Sequence, residues 1–212
     1  MSQELFKRLL SSIILIPVVL FIIIKGSLIF ICFIVICFFI SIYEWHMISK
    51  KKFYSLFGYI FIFFSFLSVY KLRINSENDY WDLLFIVTIC ISTDIGGYVF
   101  GKIFKGPKLS RFSPNKTYAG MFGGFLLSIV SIYLFVNIFL LTNEFMDNWL
   151  VMVILISSIS QIGDIFISFF KRLRNIKDTG KIIPGHGGLL DRIDGMIFAF
   201  PFSYLILIID IL

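Results

Sequence analysis

Residues 148–170 read NWLVMVILISSISQIGDIFISFF, a run of 23 residues in which Asp164 is the one charged side chain. A transmembrane α-helix needs about 20 consecutive apolar residues, with a range of roughly 17–25. The run therefore predicts a membrane-spanning helix, and the fold depends on how often such runs recur.

Six further apolar runs follow the same pattern, and the 212-residue chain is 58% hydrophobic and only 15% charged, with 27 Phe. A typical soluble domain carries about 25% charged residues, and a small domain leaves much of its surface in water. This composition argues against a soluble enzyme, a nucleic-acid-binding domain and a disordered linker. The predicted fold class is an all-α polytopic membrane protein with about seven spans. The predicted spans are residues 9–24, 27–43, 53–70, 81–101, 118–141, 148–170 and 193–212.

The loops between these spans differ in charge. Alternate loops place 16 of the 19 Lys and Arg on one side of the membrane and 3 on the other. By the positive-inside rule, this distribution predicts a cytoplasmic N-terminus. Such loops orient many membrane proteins without binding a ligand, so charge alone leaves a phosphate-binding role open.

Two carboxylates, Asp94 and Asp164, lie well inside predicted spans, away from the ends. An ionised Asp at the bilayer centre costs about 2.5–3.5 kcal/mol on insertion scales, so these residues are usually functional or paired. Asp94 precedes Lys102 by 8 residues and Asp164 precedes Lys171 by 7, which predicts similar depths just below the cytoplasmic interface. The alternative is a hydrogen-bonded or protonated carboxylate that only joins helices.

The sixth predicted span carries a polar stripe at helical spacing: Ser157, Gln161, Asp164, Ser168 and Lys171. Such a stripe can serve helix packing alone. Because it ends in a carboxylate followed by the cations Lys171 and Arg172, a hydrated, charged cavity is the favoured interpretation.

The segment after this span is rich in glycine and charge. Glycines allow backbone N–H groups to turn towards an anion such as phosphate. Asp191 and Asp194 share a face at the start of the last span and could hold a divalent cation. Capping of the helix N-terminus is the alternative for this pair.

The loop between the fourth and fifth spans also combines cations with hydroxyl and amide groups beside Asp94. Gly97 and Gly101 are four residues apart, as are Gly120 and Gly124. Small residues at this spacing predict close helix packing.

Residues 168–194, SFFKRLRNIKDTGKIIPGHGGLLDRID, resemble the signature of the phosphatidate cytidylyltransferase (CDP-diglyceride synthase) family. Every fixed position of that signature is filled, by Ser168, Lys171, Arg172, Lys177, Asp178, His186, Gly187, Gly188, Asp191, Arg192 and Asp194. A looser second block of the family is matched by Asp94, Gly96, Gly101, Ser113, Pro114, Lys116 and Thr117. The resemblance covers roughly the C-terminal 120 residues, and Ala119 departs from it where many members have Glu.

The resemblance implies transfer of CMP from CTP to phosphatidate, giving CDP-diacylglycerol and pyrophosphate, with Mg²⁺ as cofactor and a second cation left open. It also implies substrates that meet at the cytoplasmic face of a bacterial inner membrane, with a homodimer suggested and no nucleic-acid partner. The expected catalytic residues are Asp164, Ser168, Lys171, Arg172, Asp191 and Arg192. The expected substrate-binding residues are Lys116, Lys177, Asp178, His186, Gly187 and Gly188. The expected metal ligands are Asp164 and Asp191, followed by Asp94 and Asp194.

We expect residues 1–80 to provide three spans for scaffolding or dimerisation. Residues 81–212 would form the catalytic domain, with cytoplasmic loops at 102–117 and 171–192. An ion or solute transporter is the alternative function, since intramembrane Asp residues also suit ion pathways. Charges gathered at one membrane face and the lack of an evident inverted repeat count against it. A CDP-alcohol phosphotransferase is disfavoured because the sequence after Asp191 and Asp194 departs from the motif of that family.

Overall fold

The computed structural model describes residues 16–49, 52–74, 80–109, 113, 116–139, 148–180, 182 and 187–209. Within these ranges there are seven α-helices and one isolated antiparallel bridge, between Lys108 and Thr117. The helices are α1 Ile16–Lys25, α2 Ser27–Ser49, α3 Ser55–Ile74, α4 Trp81–Phe104, α5 Tyr118–Phe139, α6 Trp149–Leu173 and α7 Leu190–Ile209. The all-α prediction is confirmed.

Five of the seven helices, α2 to α6, are long and apolar enough to cross a membrane, at 20 to 25 residues each. Large apolar side chains stand exposed along them, such as Leu28 at 70% and Ile138 at 69%. Water would oppose that exposure, whereas lipid tails accept it. The protein is therefore an integral membrane protein. Predicted span residues 9–15, 140–141 and 210–212 lie outside the described residues.

Several helices continue beyond the apolar runs that predicted them, because helix ends depend on backbone chemistry as well as hydropathy. The helix α6 ends in a Schellman motif: Asn175 has a φ of 54°, its N–H donates to the Arg172 carbonyl, and the Ile176 N–H donates to the Lys171 carbonyl. Lys105 and Gly106, with φ values of 53° and 101°, follow α4. The predicted loops 102–117 and 171–192 thus begin too early: Lys102 belongs to α4, and Lys171 and Arg172 belong to α6.

The chain divides into two compact units. The first combines the described residues of 16–83 with Phe170–Asp194. In it, α2 packs on α3 through edge-to-face contacts of Phe38 with Phe63 and Phe66, at centroid distances of 6.2 and 5.8 Å. Trp45 donates its indole N–H to the Ser55 carbonyl at 3.1 Å.

The second unit combines Leu84–Phe169 with the described residues from Gly195 onward. Glycines let α4 and α5 approach closely: a Cβ at Gly120 would lie 2.6 Å from the Gly97 carbonyl oxygen. This confirms the predicted packing role of the spaced glycines. The Thr93 hydroxyl also donates to Ser157 Oγ on α6 at 2.8 Å, so the buried start of the polar stripe joins helices. The predicted division at residue 80 separates a scaffolding region from a catalytic region. It stays a prediction.

Candidate active-site clusters

In the first unit, the Lys171 cluster consists of Lys171 at the end of α6 with Asp191 and Asp194 in the first turns of α7. The Lys171 ammonium lies 2.9 Å from Asp191 Oδ1 and 4.0 Å from Asp194 Oδ2. These side chains are only 11%, 6% and 11% exposed, in the same order. One cation thus offsets two carboxylates in a poorly hydrated setting, where ion pairing is strong but sensitive to loss of a partner.

The second oxygen of Asp191 fixes the loop that joins α6 to α7. Asp191 Oδ2 accepts hydrogen bonds from the backbone N–H groups of Thr179 at 2.7 Å and Gly188 at 3.0 Å. The neighbouring Gly187 has a φ of 90°, and a Cβ there would lie 3.0 Å from the same oxygen. Both donors precede α7, so Asp191 fixes the loop that leads into this helix and also pairs with Lys171.

Sequence reasoning missed Glu44, a carboxylate on α2 that is only 1% exposed. It accepts hydrogen bonds from Thr179 Oγ1 at 2.9 Å, the Leu189 N–H at 3.0 Å and the Leu190 N–H at 2.7 Å. The available signal was its isolation, because no other acidic residue occurs in the α2 sequence. A carboxylate within a spanning helix is a functional candidate by default, but the predicted span ended at residue 43 and left Glu44 in the following loop.

In the second unit, the Asp164 cluster consists of Lys116, Asp164 and Ser168. Asp164 Oδ2 forms a salt bridge with the Lys116 ammonium, and its Oδ1 accepts a hydrogen bond from Ser168 Oγ at 3.3 Å. About a quarter of the side-chain surface of the ion pair is exposed, 26% for Lys116 and 23% for Asp164. This pair therefore remains accessible to a charged ligand.

A short backbone turn positions Lys116. The Leu109 N–H donates to the Lys116 carbonyl at 2.8 Å, and the Lys116 N–H donates to the Ser113 carbonyl at 3.1 Å. Both the N–H and the carbonyl of Lys116 are therefore hydrogen-bonded just before α5 begins. This fixes the backbone from which the Lys116 ammonium reaches Asp164 on α6.

The remaining expected site residues that the structure describes are mostly exposed. Asp94 is exposed on α4, Lys177 and Asp178 are exposed in the loop after α6, and Arg192 is exposed on α7. Arg172 is exposed too, and its guanidinium donates to the Ile176 carbonyl at 3.3 Å. His186 lies outside the described residues. The structure thus gathers two groups of the expected residues, the Lys171 cluster and the Asp164 cluster.

The Lys171 cluster has donor chemistry that suits Mg²⁺. Magnesium prefers hard oxygen ligands and is usually held by one or two carboxylates, with water and substrate phosphates completing its shell. Asp191 and Asp194 already direct oxygens at one cationic atom, the Lys171 ammonium. Among the described residues, no group of three or more His, Cys, Asp or Glu side chains could hold a metal. Mg²⁺ could therefore be held by this carboxylate pair together with substrate phosphate, rather than by protein ligands alone.

The long apolar helices and the two charged clusters define an integral membrane protein with a carboxylate pair suited to a divalent cation and a partly exposed Asp–Lys pair open to a charged ligand. The model of the cytidylyltransferase family matches residues 6–87 and 54–210. A phosphatidate cytidylyltransferase of Brucella suis is 34% identical over 208 residues, covering 96% of this chain and 74% of that protein. One from Rickettsia bellii is 33% identical over 212 residues, covering 97% and 91%. One from Staphylococcus epidermidis reaches 42% over 129 residues, covering 59% and 48%.

The chain belongs to the cytidylyltransferase family. It is accordingly a membrane enzyme of the nucleotidyltransferase class. This confirms the family suggested by residues 168–194.

Proposed function

We propose that the chain is a phosphatidate cytidylyltransferase, which transfers CMP from CTP to phosphatidate and releases pyrophosphate. The observation that carries the proposal is the Lys171 ammonium held between Asp191 and Asp194, inside the segment that carries the family signature. The names of the relatives from Brucella and Rickettsia support the same activity.

The reaction needs charge compensation more than it needs an activated side chain. A phosphatidate oxygen attacks the α-phosphorus of CTP, a new P–O bond forms, and the bond to the β-phosphate breaks with its electron pair on pyrophosphate. A phosphomonoester has a second pKa of about 6, so the attacking oxygen is already ionised at neutral pH. Positioning of two anions and stabilisation of the leaving group therefore carry the catalysis.

The residues of the Lys171 cluster are proposed to bind the charged groups of this reaction. Asp191 and Asp194 would hold Mg²⁺, which when bound neutralises phosphate oxygens and the developing pyrophosphate charge. Lys171 supplies a fixed positive charge beside them. The exposed cations Arg172, Lys177 and Arg192 are suited to draw a triphosphate towards this cluster.

The residues of the Asp164 cluster are proposed to act in the same reaction. Asp164 holds the Lys116 ammonium, and Ser168 donates to the other oxygen of the same carboxylate. In this arrangement Lys116 can exchange its partner for a substrate phosphate, since the ion pair is partly exposed. We also propose Asp164 and Asp94 as further candidates for cation binding.

The active site is proposed to face the cytoplasm of a bacterial inner membrane, with the N-terminus on the same side. The distribution of Lys and Arg supports this orientation. Because CTP does not cross a bilayer, sealed inside-out vesicles should transfer CMP from added CTP to lipid, and right-side-out vesicles should not. The reverse result would contradict the orientation.

A homodimer is also proposed, and the mass of the purified detergent complex tests it.

The direct test of the activity uses the purified full chain with labelled CTP, phosphatidate and Mg²⁺. We expect CDP-diacylglycerol and pyrophosphate to form in equal amounts, and EDTA to stop the reaction. A folded protein that forms neither product would contradict the proposal. A protein that moves ions or solutes across vesicles without consuming CTP would instead favour the transporter alternative.

A further inference from the structure

The buried Glu44 carboxylate contacts the same loop that Asp191 holds. Thr179 donates its backbone N–H to Asp191 Oδ2 and its hydroxyl to Glu44 Oε2, at 2.7 and 2.9 Å. The Gly188 N–H donates to Asp191, while the N–H groups of Leu189 and Leu190 donate to Glu44. Two carboxylates thus hold the two ends of one loop, and neither end can shift without straining hydrogen bonds to both.

Two glycines leave the space that Glu44 occupies. A Cβ at Gly180 would lie 2.6 Å from Glu44 Oε1, and a Cβ at Gly188 would lie 2.5 Å from Glu44 Oε2. Both distances are too short for any residue other than glycine unless the Glu44 carboxylate moves. The loop is therefore shaped around Glu44 on both sides, which is more than one incidental hydrogen bond requires.

The chemistry of Glu44 suits this role because an ionised carboxylate only accepts hydrogen bonds. Two of its three partners are backbone N–H groups at the start of α7, which have no partner within the helix and carry the positive end of the helix dipole. Leaving these buried donors without an acceptor would be costly. Glu44 consequently fixes where α7 begins, and Asp191 lies in the first turn of that helix.

We propose that Glu44 is a positioning residue for the Lys171 cluster: from α2, it sets the place of Thr179 and the start of α7 so that Asp191 meets Lys171. The inference rests on the proposed cytidylyltransferase activity. It also gives the second helix of the chain a part in catalysis, in addition to scaffolding.

The test compares Glu44→Gln with Ser41→Ala in the full-length protein. Gln keeps the size of the side chain but turns an NH₂ group towards backbone donors. Ser41 is equally buried on α2, and among the described residues its hydroxyl bonds only to the Cys37 carbonyl of its own helix. We expect kcat of Glu44→Gln to fall about 10- to 100-fold, as for other residues that orient ligating groups, with KM for CTP changed less than threefold. Ser41→Ala should keep kcat within about twofold.

Two additional readouts separate positioning from general stabilisation. Amide hydrogen exchange at Leu189 and Leu190 should accelerate in Glu44→Gln and not in Ser41→Ala. Thr179→Val, which removes the hydroxyl and keeps the backbone N–H to Asp191, should lower kcat about 3- to 10-fold, as expected for one hydrogen bond. Thr179→Ser should restore the wild-type rate. If Glu44→Gln does not fold, the Thr179 pair decides the question.

If the wild-type enzyme is active and folded Glu44→Gln or Thr179→Val has the same kcat, this inference is overturned and the proposed function stands. A wild-type chain that forms no CDP-diacylglycerol would remove the proposed function itself. A loss of activity in Glu44→Gln that matches the loss in folded fraction would show a purely structural role and would also overturn the inference.

Discussion

The Lys171 cluster and the Asp164 cluster contain the same chemistry, an Asp paired with a Lys, in different surroundings. In the first, both oxygens of Asp191 are bonded, two of the donors are backbone N–H groups, and the ion-paired side chains are nearly buried. In the second, Asp164 is bonded to two side chains, and about a quarter of the pair is exposed. Backbone donors and burial hold Asp191 rigidly, whereas the Asp164 pair can exchange partners with a ligand.

The largest effect is expected for Lys171→Met. Removing the ammonium takes away the positive charge next to the poorly hydrated Asp191 and Asp194 carboxylates, which should cost about 3–5 kcal/mol of stability and abolish turnover. Thermal unfolding in detergent and a product assay measure the two effects. Lys52→Met, which removes an exposed Lys outside both clusters, is the control and should leave both values unchanged. If Lys171→Met unfolds at the wild-type temperature, the buried ion pair of Lys171 and Asp191 is not formed.

A smaller effect on stability is expected for Asp164→Asn. Asn keeps an acceptor for Ser168 but loses the charge that holds Lys116, so turnover should fall about 100-fold or more while the protein remains inserted and folded. Asp164 and Lys171 variants would then differ clearly in unfolding temperature. Near-normal activity of Asp164→Asn with Mg²⁺ and CTP would remove Asp164 from the proposed site.

Away from both clusters, Gly120→Ala should affect stability alone. The added Cβ would lie 2.6 Å from the Gly97 carbonyl oxygen, and such overpacking costs about 1–3 kcal/mol. Gly97→Ala is the matched control, because its Cβ would lie 3.8 Å from the nearest atom, the Gly120 carbonyl oxygen. The helix contact is contradicted if the two variants unfold at the same temperature.

The sequence predicted most of the helices, because apolar runs of membrane-spanning length leave few alternatives to a helix. It also placed Asp191 and Asp194 on one face, since this follows from helical spacing. It could not predict that Lys171 lies between them. That contact depends on how the loop returns to α6 after the left-handed residue Asn175 ends this helix.

The contacts of Glu44 could not be predicted from the sequence for a related reason. Its partners are separated from it by 135 to 146 residues, and no local motif marks an acceptor for such distant backbone donors. Similarly, Lys116 and Asp164 were each expected at the site, but their pairing depends on the backbone turn before α5. Residue types and helical spacing are local properties, whereas these contacts depend on the path of the chain.

The most direct test of the account measures CDP-diacylglycerol formation by Asp191→Asn beside Asp82→Asn and the wild type. Asp82 is also an acidic residue in the first turn of a helix, α4, and lies outside both clusters. We predict that the wild type and Asp82→Asn form product at rates within about twofold, and that Asp191→Asn loses about 1,000-fold, at the upper end for one electrostatic group. Product formation by folded Asp191→Asn at the wild-type rate would contradict the account.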